Sequence, residues 1–316
     1  MSLLASVDSG YVEDVERRLE DVVAVDGGLV SEAGAQTLRA GGKRLRPLLV
    51  HLCAPIPGRA REELVSAGCA IELVHMATLV HDDQVDAAPL RRGQPTVWRT
   101  HGATAATATG DYLFARAFAE LVTTGDVEAV TVLAGACLDL ARGEMLQREQ
   151  AGDPSVAPDQ YLERCRLKTG RLFAAAAMLG GRLGGLDADS VEVLGAFGEA
   201  LGLAFQVADD ILDCDGNPDT TGKPLGTDLL DGTVTLPLLL AAQRAPAVAA
   251  VIRRGAAPAD VLPTLAVVAR SGAVTDARAE ADLQGRKALE LLELLPPTVD
   301  VAALRAVVHA AVDRRS

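Results

Sequence analysis

Residues 69–81 read CAIELVHMATLVH, a run whose apolar side chains cover nearly every direction around a helix. Such a helix cannot lie on a surface. It must be enclosed by other helices, so it commits the chain to a multi-helix core. The segment 190–212 repeats the pattern through LGLAFQVA. Aromatics are only 3% of the residues, and Ala/Leu-rich stretches far outnumber β-branched runs, so Ala, Leu and Val must build that core in helical form. Helical periodicity covers 11–25, 29–40, 62–81, 103–122, 127–150, 159–183 and 190–212, and Ala/Leu/Val helices return over 233–316. Gly41-Gly42 stops the second of these helices. The expected class is all-α, in one domain over 1–316, because no linker composition or short-period repeat divides the chain.

Both apolar segments end in carboxylates: LVHDDQVD at 79–86 and VADDILD at 207–213. Asp82 and Asp86 are four apart, about 40° around a helix, and so share a face one turn apart. Asp209 and Asp213 repeat this spacing, while Asp83 and Asp210 point roughly 100° away and are expected to support rather than to ligate. Like charges at a helix C-terminus oppose one another and the macrodipole, at a cost of up to about 1 kcal/mol per cluster. A single solvated acidic helix end is commonplace. Two, each following a buried helix, call for a cation. Hard carboxylate oxygens without Cys or a His pair suit Mg²⁺, which takes one or two carboxylates and completes its shell with water and phosphate. The loop DCDGNPDTTGKP fails as a calcium loop, because Pro218 and Pro224 stand where the turn Gly and the bidentate Glu are needed.

A net charge of −13 leaves no basic face for a nucleic-acid backbone. An anionic substrate must therefore meet a few placed cations or a metal. GGKRLRP at 41–47 supplies Lys43, Arg44 and Arg46; Arg91-Arg92-Gly93 follows the first cluster; Lys168-Thr169 precedes an Ala-rich stretch; Lys223 follows the second cluster. Together these are forks and point charges for diphosphates. Five cysteines without a CxxC pair read as the reduced thiols of a cytoplasmic protein. The opening MSLLASVDSG lacks a basic region and a sustained apolar run, so no secretory signal is expected. Charged residues interrupt each apolar segment, so no membrane span is expected, and at most peripheral membrane contact.

GGKRLRP, ELVHMATLVHDDQVD with RRGQPT, GDYLFARAF, Lys168-Thr169, FQVADDILD and GKPLGTDLLDGTVTLP occur in the order and spacing of the trans-isoprenyl diphosphate synthases, which the chain resembles from about residue 36 to 240. The resemblance implies a large antiparallel helical bundle around a deep central cavity, normally a homodimer. It implies head-to-tail condensation of isopentenyl diphosphate with an allylic diphosphate, farnesyl or geranylgeranyl as primer. Carried over residue by residue, it places Asp82 and Asp86 on two Mg²⁺ ions and Asp209 on a third, within the cluster that Asp213 completes, with Asp228 in support. It places Arg91, Lys168 with Thr169, Gln206 and Lys223 at the allylic diphosphate, and Lys43, Arg46, His75 and Arg92 at isopentenyl diphosphate. Asp82, Asp86, Lys168 and Asp209 would carry the chemistry. One departure stands out: Thr233 occupies a position where many relatives have lysine.

In short-chain relatives an aromatic residue one turn before the first cluster stops elongation. Here Ala77 and Thr78 stand there, with Val74 a turn further, so the floor is expected deeper, at Phe114 and Phe118. The product is then expected to exceed C20 and to reach medium or long chains, with geranylgeranyl diphosphate as the alternative. Three other readings compete. A terpene cyclase of this fold usually carries an Asn/Ser/Glu-type second motif instead of DDILD. An HD-type phosphohydrolase, suggested by His81-Asp82 with His51 and His75, needs several His on one metal. A non-catalytic partner subunit would not be expected to retain both clusters and the cations.

Overall fold

A computed structural model of the chain describes residues 9–56, 61–216 and 225–313. It is almost wholly helical. The helices are α1 Ser9–Ala24, α2 Gly28–Arg39, α3 Leu45–Cys53, α4 Arg61–Val85, α5 Val97–His101, α6 Ala103–Val122, α7 Val127–Gln150, α8 Pro158–Cys165, α9 Arg171–Leu183 and α10 Ala188–Asp215. They continue as α11 Thr227–Leu230, α12 Leu236–Arg244, α13 Pro246–Arg254, α14 Pro258–Arg270, α15 Ala273–Leu292 and α16 Val301–Val312. One π-helical turn, Arg166–Gly170, joins α8 to α9. Among the described residues the only sheet is a hairpin that pairs β1 Leu90–Arg91 with β2 Gln94–Pro95.

The all-α expectation holds, and several starts can be traced to local chemistry. The Ala157 amide donates to the Gln160 side chain at 3.0 Å, ahead of Pro158 at the first position of α8. The Ala257 amide donates to Asp260 at 2.8 Å at the start of α14. Periodicity alone missed α3, whose short run follows the glycines too closely to stand out. It also merged α8 and α9, since one extra residue per turn leaves no mark on composition.

The described residues group into two compact units, where the sequence suggested one domain. The first is drawn from Met1–Cys137, Ala175–Gly195 and Leu295–Leu304, the second from Leu138–Ala174, Ala196–Leu294 and Arg305–Ser316. In the first unit α4 is the core. Leu64, Ala67, Ile71, Leu73, Val74, Met76, Ala77 and Val80 are all buried, and each of the larger side chains is worth about 1.5–3 kcal/mol when removed from water. Helix α6 meets it with a stripe of Ala106, Gly110, Leu113, Ala117 and Leu121, the i, i+3, i+4 pattern of a helix with one buried face. In the second unit α10 contributes Leu203, Val207, Ile211 and Cys214 to a core shared with α8 and α11 to α15.

The ground on which no membrane span was expected, charges interrupting each apolar segment, does not hold for two helices. By length and composition alone, Glu62–Val85 and Ala188–Asp215 are apolar enough to cross a membrane, with mean hydropathy 1.5 and 1.4. A window of 18 residues tolerates the one or two charges taken above as interruptions. Burial within the fold covers 78% and 61% of these windows, which is why they are apolar: they are core helices.

Small residues let the helices approach closely. A Cβ on Gly180 of α9 would lie 2.1 Å from the Val50 carbonyl oxygen of α3, a backbone atom that cannot swing aside. Gly180→Ala is therefore expected to lower stability by about 3 kcal/mol, read as a fall in the midpoint of thermal or urea unfolding. An unchanged midpoint would show that α3 and α9 do not pack this tightly.

Candidate active site

Each unit carries one carboxylate cluster with its own cations. In the first unit α4 runs past Asp82 to Val85, and the chain turns there through Ala87 at φ 51°. Asp82 is half-buried, Asp86 is exposed and Asp83 is buried. Asp83 accepts two hydrogen bonds on Oδ1 from Arg91, from Nε at 2.9 Å and from a terminal nitrogen at 2.6 Å. Burial pushes the Asp83 pKa up, and the Arg91 guanidinium opposes that push. The hairpin presents Arg91 because its two central residues, Arg92 at φ 53° and Gly93 at φ 76°, form the left-handed turn that matches strand twist.

Behind the hairpin lies a basic cluster built around one acid that the motifs did not flag. Glu72, buried on α4, accepts from Arg44 at 2.7 Å. Arg44 also pairs with Glu16 and donates to the Leu38 carbonyl at 3.3 Å. These bonds hold Arg44 in a left-handed conformation, φ 47°, that ordinarily costs an L-residue about 1–2 kcal/mol. Arg44 is thus a structural cation, whereas Lys43 beside it is exposed. A Cβ on Gly42 would lie 3.0 Å from terminal nitrogens of both Arg44 and Arg92, close enough to nudge these two side chains.

Burial pulls the Arg46 pKa down to about 10, with Glu72 opposing and Arg92 reinforcing the shift. Burial, then Arg46, Arg92, Arg44 and Arg91 in that order, hold His75 well below its usual range. Three arginines, Arg44, Arg46 and Arg92, feel the one buried carboxylate of Glu72, which makes a locally positive cluster in an acidic protein, suited to an anion. Gln36, Thr37, Leu79, Asp83, Arg91 and Arg92 line a small cleft beside it.

In the second unit the register of α10 sorts the carboxylates. Measured from the buried stripe Leu203, Val207, Ile211 and Cys214, Asp210 lies roughly 55° away, against roughly 155° for Asp209. Asp210 is accordingly buried, and Asp209 half-buried. Asp210 accepts from the Tyr161 hydroxyl at 2.6 Å and from Gln206 Nε2 at 2.8 Å, and burial raises its pKa against these two bonds. Asp213 accepts the Thr227 amide at 3.0 Å and the Asp228 amide at 3.2 Å, one on each oxygen, and so caps α11 as well as completing the cluster. Thr233 follows, its amide bonded to the Asp228 carbonyl at 2.8 Å.

Lys168 and Thr169 sit in the π turn. The Lys168 ammonium donates to Glu144 at 2.5 Å and to Gln147 at 3.3 Å. Burial of Glu144 is outweighed by the pull of Lys168 and Arg148, which lowers its pKa. The Thr169 hydroxyl donates to Gln206 Oε1 at 2.7 Å. Lys223 lies outside the described residues. The Phe114 ring lies 5.8 Å from that of His81, and Phe118 stands one turn further along α6.

Among the described residues no group of three or more His, Cys, Asp or Glu forms a ready-made metal cage. The donors on hand are pairs of carboxylates one turn apart. These fit an ion that takes one or two carboxylates and completes its shell from water and a phosphate, which is the habit of Mg²⁺.

The family model described as polyprenyl synthetase matches residues 28–262. Heptaprenyl diphosphate synthase component 2 of Geobacillus stearothermophilus is 39% identical over 89% of this chain and 89% of its own. Octaprenyl diphosphate synthase of Escherichia coli (strain K12) is 34% identical over 90% of each. A crystal structure of polyprenyl synthase from Caulobacter crescentus CB15, complexed with calcium and isoprenyl diphosphate, superposes with TM-score 0.91 at 36% identity, covering 99% of this chain and 98% of that one.

The depressed His75 pKa has a directional consequence. Burial and the arginines disfavour its protonation over pH 6–8, and the stability linked to it, present above the ordinary His value of about 6.5, is lost as pH falls towards the folded pKa. The ring resonances of His75 in an NMR pH titration are expected to stay flat over that range. Titration near pH 6.5 would show that the arginines do not surround it.

Proposed function

Because the chain belongs to the polyprenyl synthetase family, we propose that it extends an allylic diphosphate with successive isopentenyl diphosphates to a product longer than C20. It is a prenyltransferase. The observation that carries the reading is the doubled carboxylate device on two core helices, each with cations in its own unit. The product length is supported by Ala77, fully buried one turn before Asp82, with Thr78 beside it where a bulky ring would close the path. The hepta- and octaprenyl names of two relatives agree.

In this reading Asp82 and Asp86 hold two Mg²⁺ ions and Asp209 a third. Bound there, the metal supplies Lewis-acid neutralisation of the departing diphosphate. Lys168, Arg91 and Lys223 bind the allylic diphosphate and stabilise the charge that grows on it as the carbon–oxygen bond breaks. Lys43, Arg46, Arg92 and His75 hold isopentenyl diphosphate so that its double bond attacks the allylic carbon. A proton then leaves to the released diphosphate. No protein nucleophile is needed, and the apolar walls of α4 and α6 keep water from the cation. The relative that carries calcium and isoprenyl diphosphate supports a divalent ion with this substrate class.

We place the enzyme in the cytoplasm, as a homodimer. Leu138 and Met145, seven apart on α7 and 63% and 61% exposed, offer a face for a second copy. The Geobacillus relative is named a component, and a size measurement distinguishes self-association from a different partner.

Asp82→Ala and Asp209→Ala should each reduce turnover by about a thousandfold or more while leaving the helical circular dichroism and melting unchanged. EDTA should abolish activity and Mg²⁺ restore it. Near wild-type turnover in either variant would remove that cluster from the metal site.

Ala77→Phe should shorten the product to about C15–C20, because a close-packed core leaves no slack for an extra ring. Chromatography of the dephosphorylated products reads the outcome. A wild-type product of C20 or less, or an active variant with unchanged length, would show that the tunnel does not pass Ala77.

A further inference from the structure

We propose that Tyr161 is a positioning residue for the second cluster, acting through Asp210 on Asp209 and through Gln206 and Thr169 on Lys168. The proposal rests on the functional reading above and names a residue that no motif contains.

Tyr161 is fully buried on α8. Its ring lies 5.2 Å from the Arg164 guanidinium, which is itself anchored on Gln150 at 2.8 Å and on the Val234 carbonyl at 2.6 Å. The phenol donates to Asp210 Oδ2 at 2.6 Å, and the Cys165 thiol is also in hydrogen-bonding contact with it. From Asp210 a single series of bonds leads back to the π turn. Gln206 Nε2 donates to Asp210 Oδ1, and Gln206 Oε1 accepts from the Thr169 hydroxyl. All donors point one way, towards the carboxylate, and this fixes the orientation of the Gln206 amide. A buried carboxylate that lost one donor would have to rotate or admit water.

Both ends of the series carry residues of the proposed site. Asp210 is peptide-bonded to Asp209 and feels its charge, so a backbone shift that followed the loss of an Asp210 bond would carry Asp209 with it. Thr169 is peptide-bonded to Lys168, whose amide nitrogen would lie 2.7 Å from a Cβ on Gly143. The packing at Gly143 and the Thr169 bond hold the main chain from which the Lys168 side chain starts, and Glu144 and Gln147 hold its ammonium.

Tyr161→Phe keeps the ring and its volume and deletes only the O–H. Calorimetric titration with Mg²⁺ and inorganic diphosphate should show a Kd raised about tenfold. The KM for the allylic substrate should rise by a similar factor, the KM for isopentenyl diphosphate should not move, and the ligand-free protein should melt within a few degrees of wild type. Asp210→Asn should weaken diphosphate binding too, and the double variant should be no worse than the weaker single variant, since both break one series. Unchanged binding, additive losses, or equal rises in both KM values with a large fall in Tm would overturn the proposal. If Tyr161→Phe does not fold, the other end decides: Thr169→Ser should retain binding that Thr169→Val loses, and equal binding by the two refutes the series. A wild-type chain that neither binds Mg²⁺ with diphosphate nor condenses the substrates removes the functional reading along with the proposal. A competent wild type beside an indifferent Tyr161→Phe removes only the positioning role.

Discussion

Helix α4 is apolar on all sides, and burying it dictates where everything in its unit must go. Its neighbours have to offer small or aliphatic faces, as α6 does with Ala106, Gly110, Leu113, Ala117 and Leu121. Only the end of α4 can carry charge, because a carboxylate within the run would have to be desolvated without a partner. Glu72 is the exception that shows the rule, since it is paired with Arg44 deep in the unit. The position of the first aspartate cluster follows from the core requirement as much as from the chemistry it serves.

The two clusters solve one electrostatic problem with different means. In each, the middle carboxylate is turned into the protein and held by donors: Asp83 by Arg91, and Asp210 by Tyr161 and Gln206. The outer carboxylates then share a face at one turn's spacing. The basic side is arranged by a similar economy. Arg44 is consumed by Glu16 and Glu72. The electrostatic burden falls on Arg46 and His75, whose pKa values are lowered by burial among like charges. Groups that part with charge readily in the free protein gain most from an arriving anion, so this cluster favours one although the protein as a whole is acidic.

What was legible in the residues came from periodicity and spacing. Helices 103–122 and 127–150 are found at those bounds, since their apolar stripes and terminal breakers are local signals. The sharing of a face by Asp82 and Asp86, and by Asp209 and Asp213, follows from the helical repeat. The burial of Asp83 and Asp210 is partly legible too, as an angle from the core stripe. Arg44 and Arg46 were indistinguishable in GGKRLRP, because what sets Arg44 apart is its hydrogen bonds to Glu16 and Glu72 on other helices. Glu72 gave only a faint signal, a lone acid in an apolar run. Tyr161 gave none, its partner lying far along the chain.

The sequence by itself therefore determined the class of fold, the two core helices and the chemistry collected at their ends, because each depends on interactions within a few residues. The tertiary structure alone decided that Arg44 is spent on the internal pairs with Glu16 and Glu72. It also decided that Asp213 caps α11 and that Lys168 stands on a π turn. Those outcomes depend on which helix faces which within each unit, and on desolvation, which acts only after packing has removed the water.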